Sequence, residues 1–229
     1  MAIKKSSGLY GNYTESAAGS GWGPTSDSSV ALYQCATDYY TPSSCSSSPG
    51  PSTPVVTSGR KAGTFKDATD PLTVGVIDSN GDTCGLATSG PCYLVAIGNT
   101  GSYATSVELG FTAPSASLKE SSAVPANYVD KVTAAHFPAG DTVTAQECDS
   151  SVNPATSLST DCDSATAISG HAGSNGKVKF RPTGITMLVG SSFVETGTGT
   201  VVAGGTADIV VTDASNSAVS VVVPITLAS

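Results

Sequence analysis

Charge is what this sequence has least of: Asp, Glu, Lys and Arg make up 12% of its 229 residues, about half the roughly 25% of an ordinary soluble domain. The surface must then be covered by Ser, Thr, Gly, Ala and Asn. So weakly charged an exterior repels its own copies little and tolerates close packing of many subunits. Positive charge is scarcer still, 10 Lys plus Arg against 18 Asp plus Glu, for a net charge of −8. That balance excludes recognition of a nucleic-acid backbone, which needs clustered cations. No apolar run reaches the roughly 18 residues that cross a bilayer, so no membrane insertion is expected. Residues 1–11 carry Lys4 and Lys5 with no apolar stretch behind them, and no signal peptide is expected within this chain.

Histidine is almost missing. His136 and His171 both stand beside turn-forming glycine or proline, in no nucleophile or zinc-binding pattern. Gly-x-Ser-x-Gly, Walker-type and dinucleotide fingerprints are absent as well. These gaps argue against an enzyme and leave no expected metal or cofactor. Asp78-Ser-Asn80-Gly-Asp82 spaces oxygen ligands as a cation loop does, but it lacks a completing acidic residue and reads equally as an Asn-Gly turn. Helical periodicity with caps is found in no useful window.

What the chain does have is cysteine in local pairs. Cys35/Cys45, Cys84/Cys92 and Cys148/Cys162 read as three disulfides of an oxidising compartment rather than as free thiols. An extracellular or cell-surface location is the expectation. Hydrophobic residues at 39% and a mean hydropathy of +0.07 supply enough apolar material for real cores.

It also has an internal repeat. Residues 93–111 align without gaps on residues 207–225, and Val30-Ala-Leu-Tyr-Gln-Cys35 aligns on Val143-Thr-Ala-Gln-Glu-Cys148 at nearly the same offset. Two segments at one spacing imply a duplicated domain with a boundary near Pro114. The first copy, residues 1–114, holds two cysteine pairs, and the second, 115–229, holds one. Short β-runs fill both: 30–35, 72–77, 93–97 and 106–111, then 128–134, 143–146, 177–180, 185–189, 209–212 and 219–225, with Gly98-Asn-Thr-Gly101 as a hairpin turn. The expected fold class is all-β, two tandem immunoglobulin-like β-sandwich domains. The Ser/Pro-rich stretch 42–54 is either a linker or, since Cys45 sits in it, a loop pinned to Cys35. The apolar last strand, 219–225, is either an ordinary core strand or an exposed edge open to another chain.

Tyrosine outnumbers phenylalanine, 8 to 5. Tyr39 and Tyr40 lie on the disulfide-bounded loop and are candidates for a contact patch, since tyrosine offers a rigid face with a polar tip. Tyr33, Tyr93 and Tyr128 read as ordinary strand residues.

Several of these elements occur together in a known pattern. They are Ser6-Ser7-Gly8-Leu9, Ser16-Ala-Ala-Gly-Ser-Gly-Trp22, Val30 to Cys35 followed by Ala36, a cysteine ten residues on at Cys45, Asp82-Thr-Cys84, Pro91-Cys92 and the closing hairpin. The first copy thereby resembles the neocarzinostatin family, small secreted sandwich proteins of actinobacteria that hold enediyne chromophores. Thr133-Ala-Ala-His-Phe-Pro-Ala-Gly140, Gln146-Glu-Cys148 and Cys162 extend the resemblance to the second copy, which has no counterpart of Cys84/Cys92. In that family, aromatic side chains and the first disulfide line the ligand cleft; the matching loops here, 36–44 and 66–82, offer Tyr39, Tyr40 and Leu72. The resemblance implies a carrier for a small apolar ligand. The residues themselves favour a non-catalytic structural or adhesive protein, forming a homo-oligomer or filament through strand edges.

Overall fold

A computed structural model describes residues 1–3, 6–11, 13–15, 17–23, 28–45, 53–55, 59–66, 72–74, 91–101, 104–125, 128–150, 152–182, 184–186 and 205–228. The described residues are all-β apart from two single helical turns, and the chain divides into two compact units, Met1–Ala113 and Pro114–Ser229.

The first unit contains β1 (Ala2–Ile3), β2 (Ser7–Leu9), β3 (Tyr13–Glu15), β4 (Ala17–Gly19), β5 (Ser29–Cys35), β6 (Thr53–Pro54), β7 (Phe65–Lys66), β8 (Leu72–Val74), β9 (Cys92–Gly98) and β10 (Ala104–Phe111). They form a five-stranded sheet of order β2-β10-β9-β5-β6, a three-stranded sheet β1-β4-β7 and a ribbon β3-β8. Strand β5 alternates as the sandwich requires: Val30, Leu32 and Gln34 are buried, while Ala31 and Tyr33 between them are half-buried. Leu32 and Leu94, fully buried in one cluster with Leu9, Trp22, Phe65 and Leu109, each contribute roughly 1.5–3 kcal/mol of burial.

The second unit contains β11 (Ser115–Leu118), β12 (Val129–Ala135), β13 (Thr142–Asp149), the turn α1 (Leu158–Asp161), β14 (Cys162–Ala172), β15 (Val178–Arg181), β16 (Gly184–Thr186), β17 (Thr206–Asp213) and β18 (Asn216–Thr226). Its sheets run β15-β14-β13-β17-β18 and β11-β12-β16. The central trio β13-β17-β18 repeats β5-β9-β10. Even the parallel closure of the last strand recurs: Leu9 pairs with Phe111, and Val124 bridges Leu227.

A smaller device recurs too. Trp22 donates its backbone N–H to the Gly63 carbonyl at 3.0 Å, and Phe137 donates to Gly176 at 3.2 Å. Both acceptors are glycines in the left-handed region, φ 76° and 71°. Trp22 and Phe137 are both buried, and Trp22 meets Phe65 edge-on at 5.7 Å. The residue before each ring is also left-handed: Gly21 at φ 86° in the first unit, but His136 at φ 65° in the second.

Strand register corrects the gap-free alignment. Cys35 faces Tyr93 across β5–β9, and Cys148 faces Asp208 across β13–β17. With the cysteines superposed, Tyr93 therefore stands with Asp208, not with Ala207. A slip of one residue exchanges the two faces of a strand, so the sequence alignment paired core positions with outer ones.

Strand β14, 11 residues long, has no counterpart among the β-runs expected from the sequence. The last strand combines the two readings weighed for it: β18 is outermost in its sheet, with Val219 and Ile225 buried and Val222 exposed.

Candidate functional site

The face of β5 and β9 that points away from the first core is built by parity. Tyr33 and Cys35 occupy it on β5; Tyr93, Val95 and Ile97 occupy it on β9, with Tyr33 opposite Val95 and Cys35 opposite Tyr93. Cys35, Cys45 and Val95 form a buried cluster against which Tyr33, Tyr93 and Ile97 pack half-exposed.

The loop 36–44 closes over one end of this face. Cys35 and Cys45 are disulfide-bonded, Ala36 donates to the Ser44 carbonyl at 2.7 Å, and Ser44 and Cys45 both donate to the Thr41 carbonyl at 3.1 Å. Thr37 Oγ1 donates to the Tyr39 carbonyl at 2.8 Å. The described part of the Ser/Pro-rich stretch up to Cys45 is thus a pinned loop, as one of its two readings held.

The pinning sorts the candidate tyrosines. Tyr40 lies against Tyr33, ring centroids 4.6 Å apart and tilted by 57°. Burial, followed by the Tyr40 hydroxyl as neighbour and hydrogen-bond partner, raises the Tyr33 phenol above its ordinary range. Tyr39 is the more exposed, at 59% against 37% for Tyr40. The backbone of Leu72 lies in the β3–β8 ribbon opposite Glu15; its side chain lies outside the described residues. So do the 78–82 loop and Cys84. Cys92 is disulfide-bonded, and Cys148 is bonded to Cys162. Tyr33, Tyr93, Val95 and Ile97 were missed as site residues, although their signal was present: a residue two from Cys35 on a strand shares its face.

The same positions in the second unit carry different chemistry. By register, Gln146 replaces Tyr33, Asp208 replaces Tyr93 and Thr212 replaces Ile97, with only Val210 keeping the apolar character of Val95. Burial, with Asp149 nearby, raises the Asp208 carboxyl above its ordinary value. His171 adds a further polar group, its Nδ1 3.3 Å from Thr142 Oγ1. The first unit carries a half-exposed aromatic face, whereas in the second the same positions are polar apart from Val210, with Asp208, Val210 and Thr212 buried.

His136 Nδ1 lies 3.5 Å from Ser115 Oγ, at the turn that ends β12. Among the described residues no three His, Cys, Asp or Glu side chains are grouped to hold a metal, and no helix is long and apolar enough to cross a membrane.

No family model matches the chain, and no curated protein does. Among solved structures it is similar to macromomycin, at 17% identity and a TM-score of 0.38, over 51% of this chain and 100% of that one.

Proposed function

We propose that this is a non-catalytic extracellular binding protein whose first unit carries a small apolar ligand on the face formed by Tyr33, Tyr40, Tyr93 and Ile97. The observation that carries this reading is the difference between the two outer faces. The sheets beneath them share the central order β5-β9-β10 and β13-β17-β18, so that arrangement does not require the aromatic residues of the first. A patch of tyrosine rings, aliphatic side chains and a disulfide, with polar groups at the margin, has the composition of a small-molecule site. The resemblance of the first copy to the neocarzinostatin family supports the same reading, and Tyr39 extends the patch along the loop. The bonded cysteine pairs fit an oxidising compartment. The shared central trio of strands supports descent of both units from one duplicated neocarzinostatin-like domain, the second retained as scaffold.

A structural role is the second reading, favoured by β18. This outermost strand is 11 residues long without a single charged side chain, and it lacks the lysines that commonly guard an edge. Pairing of two such edges would give a homo-oligomer or filament. Native mass spectrometry of the protein isolated from its source separates the two: a bound small molecule on a monomer supports carriage, and ligand-free higher-order species support assembly.

A further inference from the structure

We propose that the outer face of the β14–β15 hairpin docks a linear polysaccharide that carries acidic groups along its chain. Strand parity assembles this surface. On β14, Ile168, Gly170 and Ala172 are buried while Ser169 and His171 are exposed; on β15, Phe180 is buried while Lys179 and Arg181 are exposed. Arg181 stands opposite Ser169, and Lys179 opposite His171. Gly173 donates to the Lys177 carbonyl at 2.9 Å and prolongs the ladder by one pair, so the exposed Lys177 keeps the parity of Lys179 and Arg181. On the other side of β14, Thr144 stands opposite Ser169, its Oγ1 3.5 Å from the Ser169 Oγ. The three cations thus share one side of the hairpin with hydroxyls and an imidazole.

The charge distribution is uneven. Residues 114–229 hold five Lys and Arg against ten Asp and Glu, yet three of those five cations fall within Lys177-Val-Lys-Phe-Arg181 and on one face. Among the described residues none of the three has an ion-pair partner. The carboxylates of the neighbouring strands are turned away or distant: Glu147 is fully buried, Asp141 shares the inward parity of buried Val143, and Asp149 and Asp163 lie at the far end of β13 and β14, beside the Cys148–Cys162 disulfide.

Protection of an edge strand is the plain explanation for basic residues on β15. It does not account for the choice of edge, since β18, the other outermost strand of the same sheet and the longer of the two, carries no charge. Alternate residues of a strand stand roughly 6.5–7 Å apart, so the three cations form a row of about 13 Å, which suits anions in series better than a single one. The outer face of this hairpin exposes no aromatic ring and no aliphatic side chain larger than alanine. A single-stranded nucleic acid would find nothing to stack its bases on, and an acidic peptide no pocket for an anchoring side chain. Sugar hydroxyls and acidic substituents use what is present, groups that both donate and accept beside clustered cations.

The test is an amide NMR titration of the full chain with short-chain dextran sulfate, beside neutral dextran, oligothymidylate and polyglutamate. Dextran sulfate is expected to give saturable shifts at residues 169–171 and 177–181, weakened about tenfold in K179Q/R181Q and further by salt raised to about 0.5 M. K119Q/K131Q removes the same charge from two exposed lysines at the other sheet and is expected to leave the affinity within about twofold. K177Q, one position outside β15, is expected to weaken binding in the same direction as K179Q/R181Q without altering the strand, and far-UV circular dichroism verifies that each variant keeps its fold. Equal weakening by the two double variants overturns the proposal, since net charge alone would then explain binding. So do equal binding of neutral dextran, equal or tighter binding of oligothymidylate or polyglutamate, and shifts that map elsewhere or are absent.

Discussion

Substituting alanine for Gly63 separates two contributions that glycine makes to the first unit. Gly63 has φ 76°, and a Cβ built on it would collide with the carbonyl oxygen of Trp22. Gly101 has nearly the same φ, 73°, but a Cβ there meets nothing within 4 Å. Gly63→Ala and Gly101→Ala both incur the left-handed backbone penalty of roughly 1–2 kcal/mol. Only Gly63→Ala must also displace the Trp22 peptide. That movement strains the Trp22 N–H to Gly63 carbonyl bond and the edge-on seat of the indole on Phe65, adding about 1–3 kcal/mol for a buried bond disturbed. Expected losses are thus about 1.5 kcal/mol for Gly101→Ala and about 3.5 for Gly63→Ala. For a unit of this size these correspond to falls in Tm of roughly 7 °C and 15 °C. Trp22 is the chain's single tryptophan, so thermal unfolding followed by its fluorescence reads the first unit alone. Equal falls for the two variants would refute the collision argument.

Three further substitutions test other parts of the account. His136→Gly removes a side chain from the left-handed position where the first unit has Gly21, and is expected to stabilise by about 0.5–1 kcal/mol; unchanged or lower stability in urea unfolding contradicts it. Asp130→Ala strips the Glu120 and Lys131 amides of their acceptor and is expected to cost about 2–4 kcal/mol, measured as a lower urea midpoint; a loss under about 0.5 kcal/mol refutes that role. Asp208→Asn is a pH experiment. With its folded carboxyl raised above the unfolded value, Asp208 is destabilising when ionised: the cost is fully present above the raised value and gone below the ordinary carboxylate range. The variant is expected to melt higher than the wild type at pH 7, with the advantage vanishing as pH falls through that window; an advantage independent of pH would contradict the burial argument.

The strands with branched residues at alternate positions were legible in the sequence. Val30 and Leu32, and Ile209 to Val211, mark their own sheets because burial on a pleated surface selects such side chains. Strand β14 was not legible. Its inward positions, Thr166, Ile168, Gly170 and Ala172, are mostly small, because β15 approaches so closely that a Cβ on Gly170 would strike the Lys179 carbonyl. Small residues leave hardly any hydrophobic period to read. The candidate site was legible in part. Tyr39 and Tyr40 announced themselves through the disulfide-bounded loop, whereas Tyr33 and Tyr93 join them only through strand pairing, which no local pattern specifies. The one-residue slip in the repeat had the same origin: hydrophobic similarity survives a shift in strands as evenly apolar as β9 and β17, and only the register restores the faces.

Binding of a neutral aromatic probe, 2-naphthol, followed by amide NMR on the full chain, tests the central claim most directly, because it reads both outer faces in one experiment. Saturable shifts at residues 33, 40, 93, 95 and 97, absent at 146, 208 and 212 and weakened about tenfold by Tyr40→Ala, are the predicted result. Shifts of equal size on both faces, or none at the tyrosines, would contradict it.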